Sequence, residues 1–203
     1  MRAQAGDWGE VTGVSFGGYS GQAFSPAGDK GRFTLPPLFR KAVKESSDGR
    51  VLCLAKHDRW DCLTGFGLSR KAELDAQLNR EEERAIRTGE AFDRDFRSMH
   101  LFGFTEIPFD DSGRFVLPDH MRALAGIDDG GLYFQGAGRF FTIWNPAKLA
   151  AMGPEWAAAQ AACASLLESA GAEVAGCVFL IELGFLDGRS KLGSYPTVSL
   201  LQY

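Results

Sequence analysis

Histidine is scarce in this 203-residue chain, at three residues, and the four cysteines (53, 62, 163 and 177) form neither a C-x-x-C pair nor a cysteine–histidine set at metal-ligand spacing. A zinc ribbon or finger is thereby excluded, and the cysteines read as reduced core thiols of a cytosolic protein, with no metal and no cofactor expected. His57, His100 and His120 show no paired spacing, and neither a G-x-S-x-G elbow nor a glycine-rich loop ending in Lys-Ser/Thr is present. Gly136-Ala137-Gly138-Arg139 is too short for a dinucleotide fingerprint and reads as a hairpin turn. No catalytic constellation is left, so the expectation is a non-enzyme. Long apolar runs are missing as well. Residues 174 to 181 are apolar, but with Glu182 close behind they are too few to span a bilayer. The first twenty residues lack the continuous apolar core of a secretory signal. An excess of positive charge is also absent: the formal charge is -4 and the pI about 5.4, so any nucleic-acid surface must be local.

What the chain has is a stretch that occurs twice. Asp29-Lys30-Gly31-Arg32-Phe33-Thr34-Leu35-Pro36 through Arg40 and Asp111-Ser112-Gly113-Arg114-Phe115-Val116-Leu117-Pro118 through Arg122 both read D-x-G-R-F-x-L-P-x-x-x-R, at a constant offset of 82 residues. Seven ungapped identities mark an internal duplication. With two residues dropped from the second copy, the match continues: Asp48 aligns with Asp128, Leu52 with Leu132, Leu54 with Phe134, Arg59 with Arg139, Trp60 with Phe140 and Leu63 with Ile143. Each copy is expected to run strand, tight turn, strand, short helix, then two strands. Asp29 and Gly31, and likewise Asp111 and Gly113, are the turn-shaping residues: the Asp side chain folds onto nearby backbone donors and Gly accepts positive φ. Phe33 and Leu35, like Phe115 and Leu117, alternate as a half-buried strand requires. Pro36 and Pro118 suit the first position of a helix.

Residues 1–18 are Gly-rich and without periodicity, an expected disordered extension. Repeat 1 covers 19–68 and a helical connector 69–100, which Ser69 would cap and which pairs Glu83/Arg87, Glu90/Arg94 and Asp93/Arg97 at i,i+4 spacing. Seven basic and eight acidic residues over 69–97 make the connector a salt-bridged surface rather than a nucleic-acid patch. Phe92, Phe96 and Met99 share a helical face expected to pack on the barrel or on a neighbouring subunit. Repeat 2 covers 101–145. Asn145-Pro146 starts the C-terminal helices of 146–170, broken at Gly153-Pro154. Residues 171–203 form a tail of no assigned role.

The doubled motif, with Gly-Ala-Gly-Arg-Phe-Phe-Thr-Ile-Trp (136 to 144) after the second copy, resembles the MraZ family, regulators of the division and cell-wall gene cluster within the AbrB-like class of swapped-hairpin transcription factors. The resemblance spans about residues 19 to 170. It implies a mainly β fold with accessory α-helices: a pseudo-twofold AbrB-like swapped-hairpin or double-psi-type β-barrel built from the two tandem repeats. It also implies a cytoplasmic, nucleoid-associated repressor of its own gene cluster, binding direct repeats in double-stranded DNA as a ring-shaped homo-oligomer. No membrane partner and no small-molecule substrate are implied.

The two copies differ in charge. Residues 28 to 50 carry Lys30, Arg32, Arg40, Lys41, Lys44 and Arg50 against Asp29, Glu45 and Asp48, a net +3, whereas 110 to 131 carry Arg114 and Arg122 against five aspartates, a net -3. Copy one is therefore expected to face phosphates, with Arg32 as leading reader, Lys30 on a phosphate and Arg40 and Lys41 flanking; Arg114 is the second-copy candidate. In a competing reading, Asp29/Arg32 and Asp111/Arg114 are ion pairs that pin their turns. Two functional alternatives stand beside the regulator. One is an antitoxin-like protein of the same fold that binds DNA and a protein partner through the 69–97 helices, and the other is an enzyme of the double-psi type.

Overall fold

The computed structural model describes residues 17–128, 130–171, 177–182, 185 and 196–202; the expected disordered extension and most of the C-terminal tail lie outside these residues. In copy one the elements are β1 (Gln22–Ser25), a 3-10 turn (Asp29–Gly31), β2 (Arg32–Thr34), α1 (Pro37–Ser47), β3 (Val51–Lys56) and β4 (Leu63–Phe66). The connector forms α2 (Lys71–Thr88) and α3 (Arg94–Phe102). Copy two repeats the plan as β5 (Thr105–Pro108), β6 (Arg114–Val116), α4 (Asp119–Ala125), β7 (Leu132–Gly136) and β8 (Phe141–Trp144). The chain continues with α5 (Pro146–Ala150), α6 (Ala157–Ser169) and a parallel strand pair, β9 (Cys177–Glu182) and β10 (Thr197–Gln202).

Local chemistry sets the helix limits. Pro36 and Pro118 sit one residue before α1 and α4 in extended conformation, rather than at the first helical position. Asp48 and Gly126 end these helices in left-handed conformation. Asn145 caps α5 as its sequence suggests, its side chain accepting from the Ala147 N–H at 2.9 Å.

The sheet shows how the two copies interlock. Its order is β1-β7-β8-β4-β3-β5, all antiparallel, so each copy's first strand pairs with the other copy's third. Residues equivalent in the duplication lie opposite one another in the centre, Leu63 against Ile143. The same holds in the separate β2–β6 ribbon, where Phe33 faces Phe115. Antiparallel pairing of equivalent residues places a pseudo-twofold axis through both points. The core obeys the same symmetry, because Phe33, Leu35, Phe39 and Val43 and their counterparts Phe115, Leu117, Met121 and Ala125 are all buried. A smaller apolar cluster, with Cys62, Tyr133, Trp144 and Leu149, is covered by Ala159 and Cys163 of α6.

Four expectations are corrected. The strands do not close into a barrel: β1 and β5 are the two edges of the six-stranded sheet, and β2 leaves β1 to pair across the axis with β6. Ser69 does not cap α2, because a 3-10 turn over Leu68–Arg70 runs straight into it. The connector's ion pairs tie its two helices together instead of running along one face: Arg94 meets Glu82, while Arg97 meets Glu81 at 2.6 Å and Asp58 at 2.7 Å. Phe96 and Met99 do not pack on the sheet, being 57% and 67% exposed. No described helix is long and apolar enough to cross a membrane.

Candidate nucleic-acid interface

Two turns and the ribbon between them form the site. β2 and β6 bury Phe33 and Phe115, so strand alternation sends Arg32, Thr34, Arg114 and Val116 to the exposed face. In the register, Arg32 faces Val116 and Arg114 faces Thr34, which puts the two arginines at opposite ends of a three-pair ladder. With Pro108 and Asp110 they line a concavity of about 350 Å³. The turns continue the ribbon: the Leu35 N–H donates to the Gly113 carbonyl at 2.7 Å and the Leu117 N–H to the Gly31 carbonyl at 3.4 Å. Both turn glycines hold positive φ, +69° at Gly31 and +86° at Gly113, as the D-x-G pattern requires.

The last arginine of each motif crosses to the opposite turn. Arg40 donates to the backbone carbonyls of Asp111 and Ser112. In the mirrored position, a Cβ added to Gly31 would stand 3.0 Å from Arg122 Nη1. The two motif-ending arginines thus lie against the partner copy's turn, a use the spacing within one motif could not reveal.

The copies part company in electrostatics. Arg114 is held by Asp110, whose carboxylate accepts from the Arg114 backbone N–H at 2.8 Å and from Nε at 2.6 Å. Those hydrogen bonds, the backbone one foremost, keep the Asp110 carboxyl below its ordinary pKa. Asp111 pairs with Arg50, so the expected Asp111/Arg114 pair is replaced by two others. In copy one the position equivalent to Asp110 is Gly28. Neither Arg32 nor Asp29 makes an ion pair among the described residues, so the Asp29/Arg32 pair does not form. Lys41 is exposed and spans to Glu45 at 4.0 Å; the Lys30 side chain lies outside what is described.

An interlocked two-repeat protein with two arginine-bearing turns on one twofold-related ribbon is the class that this geometry defines. No family model matches the chain. Curated relatives do. It is 30% identical over 138 residues to the transcriptional regulator MraZ of Parvibaculum lavamentivorans, covering 68% of this chain and 81% of that protein. It is 32% identical over 122 residues to the MraZ of Rhodospirillum rubrum, 60% of this chain and 76% of that one. The chain belongs to the MraZ family of transcriptional regulators. A short block has another kinship, 57% identical over 42 residues to the adenine phosphoribosyltransferase of Desulfitobacterium hafniense. It covers 21% of this chain and 24% of that enzyme, too little to argue for the enzyme's activity here.

Proposed function

We propose that this chain is a sequence-specific DNA-binding regulator, a repressor of the cluster that contains its own gene, acting in the cytoplasm on the nucleoid. The observation that carries the reading is Arg32: exposed on the β2–β6 ribbon, with no carboxylate pairing it among the described residues. A major groove about 12 Å wide accepts a two-stranded β-ribbon, and an arginine fork there reads the O6 and N7 of guanine. Thr34 and Val116 share the exposed face, offering a hydroxyl and an apolar contact for a thymine methyl. In this reading Lys30 and Lys41 supply phosphate contacts. Arg114, already held by Asp110, contributes less. Arg40 and Arg122 keep the turns in place for reading.

A protomer with so few free cations binds weakly by itself. Several copies along one duplex supply the affinity by avidity, which makes ring assembly on direct repeats part of the mechanism. The exposed Phe96 and Met99 on α3 are the apolar surface such assembly would cover.

The test is a mobility shift on DNA upstream of the chain's own gene. Arg32→Ala should weaken specific binding by about 5- to 150-fold, from the 1–3 kcal/mol of one bidentate base contact, while particle size by light scattering stays unchanged. Wild-type affinity in that variant would remove Arg32 from the interface. A particle that loses its size together with binding would assign Arg32 to assembly instead.

A further inference from the structure

Away from the ribbon, where α2 and α3 meet the sheet, a cavity of about 140 Å³ is lined by His57, Thr64, Phe66, Arg70, Arg97 and Phe140, among others. The other cations there are already engaged. Arg97 is neutralised by Glu81 and Asp58, and Lys56 pairs with Asp61 and donates to the carbonyls of His57 and Trp60. Arg70 differs. Its guanidinium lies 5.5 Å from the ring centres of both Phe66 and Phe140. It donates to the Arg139 carbonyl at 3.3 Å and to the Gln77 amide oxygen at 3.2 Å, yet no carboxylate is in ion-pairing range among the described residues. Two of its five N–H groups are thereby used and three remain. Desolvation by burial pulls its pKa down, and the charge of Glu73, which is not in ion-pairing range, opposes this only in part.

His57 and Thr64 line the same cavity, as does Asp58, whose carboxylate is held by Arg97. His57 Nδ1 accepts from the backbone N–H groups of Arg59 at 3.1 Å and Trp60 at 3.4 Å, so the neutral ring carries its proton on Nε2. His57 is held neutral, its pKa lowered chiefly by burial. The volume is close to the roughly 150 Å³ of a cavity that takes up benzene.

We propose that this cavity is a binding site for a small organic carboxylate, its charge met by Arg70 and its apolar part by Phe66 and Phe140. Because the 3-10 turn before α2 contributes Arg70, α2 contributes Leu74, α3 contributes Arg97 and Leu101, and the strands β3 and β4 with their connecting loop contribute His57, Thr64 and Phe66, an occupant fastens the helical connector to the sheet. The site is independent of the DNA reading, and so is its test, which contains no DNA.

The full chain is titrated with sodium benzoate, with sodium acetate and, separately, with inorganic phosphate. The readouts are the thermal midpoint and two-dimensional NMR shifts. Benzoate is expected to raise the midpoint by about 3 °C at saturation and to move the resonances of His57, Arg70 and Phe140 together along one saturable curve, with acetate weaker. Arg70→Gln is expected to weaken benzoate binding by at least about 10-fold, the value of a hydrogen bond to a charged group. If that variant does not fold, the wild-type shift map alone decides. No saturable shift, shifts scattered over surface cations, or a response to phosphate but not benzoate each overturns the proposal. So does an Arg70 resonance that moves with protein concentration without added acid, since the counter-ion would then come from a second copy.

Discussion

The two turns descend from one sequence and share a backbone, but they present different charges. At the second turn Asp110 holds Arg114 and Arg50 holds Asp111, so both ion pairs close on themselves. At the first, Gly28 stands where Asp110 would be and Arg32 is left open. The fold is symmetric and the charge is not. Phe33 and Phe115 meet on the axis and are buried alike, whereas on the surface Arg114 is paired with a carboxylate and Arg32 is not.

The largest expected effects test the symmetric half of that comparison. Phe33→Ala and Phe115→Ala each open a cavity on the axis and should each cost about 3–5 kcal/mol by chemical denaturation. Near-equal losses are expected; a loss confined to one variant would show that one copy alone carries the core. Next comes the exchange of charge. Gly28→Asp should give Arg32 the partner that Arg114 has and lower DNA affinity by about 10-fold or more, while Asp110→Gly should free Arg114 and raise it. A Cβ at 28 stands 3.1 Å from the Arg32 carbonyl oxygen, so the melting temperature is measured alongside to separate strain from charge. Unchanged affinity in both variants would mean that the charge difference between the turns has no role in binding.

Glycine substitution should separate the turns by a smaller margin. A Cβ at Gly113 would sit 2.7 Å from the Leu35 carbonyl oxygen, which is backbone and cannot step aside. At Gly31 the nearest atom is the end of the Arg122 side chain, at 3.0 Å. Gly31→Ala should therefore cost about 1–2 kcal/mol, the left-handed penalty itself, and Gly113→Ala more. Equal costs in thermal melts would show that the second turn relaxes as freely as the first.

Much of this was legible in the sequence because it is local. The doubled motif, the strand alternation that buries Phe33 and Phe115, the positive-φ glycines and the Asn145 cap all lie within a few residues of their cause. What was not legible is pairing over distance. Nothing in the periodicity of β1 says that it joins β7 of the other copy, nor that Arg40 reaches the turn 72 residues on. The connector misled for the same reason: i,i+4 spacing suggested ties along a helix, but Arg97 finds Glu81 on α2 and Asp58 in the loop between β3 and β4. The charge contrast was visible as a window sum, whereas which arginine is left unpaired turns on one position, Gly28 against Asp110.

The smallest effect distinguishes the turns by acid. Asp110 has its folded pKa depressed by the hydrogen bonds from Arg114, so folded protein keeps this carboxylate charged at pH values where the unfolded chain takes up a proton. The stabilisation is present above the unfolded value of about 3.9 and is lost as pH falls through the folded pKa. Asp29 at the first turn makes no ion pair among the described residues, so a carboxylate tie to the motif arginine is present at the second turn and not at the first. NMR titration should show the Arg114 Nε–H signal shifting below about pH 4, with Asp110→Asn abolishing the transition and leaving the Arg32 signal unmoved. An Arg32 signal that titrates in step with Arg114 would mean that the two turns share one carboxylate network, and the independence of the first turn would have to be given up.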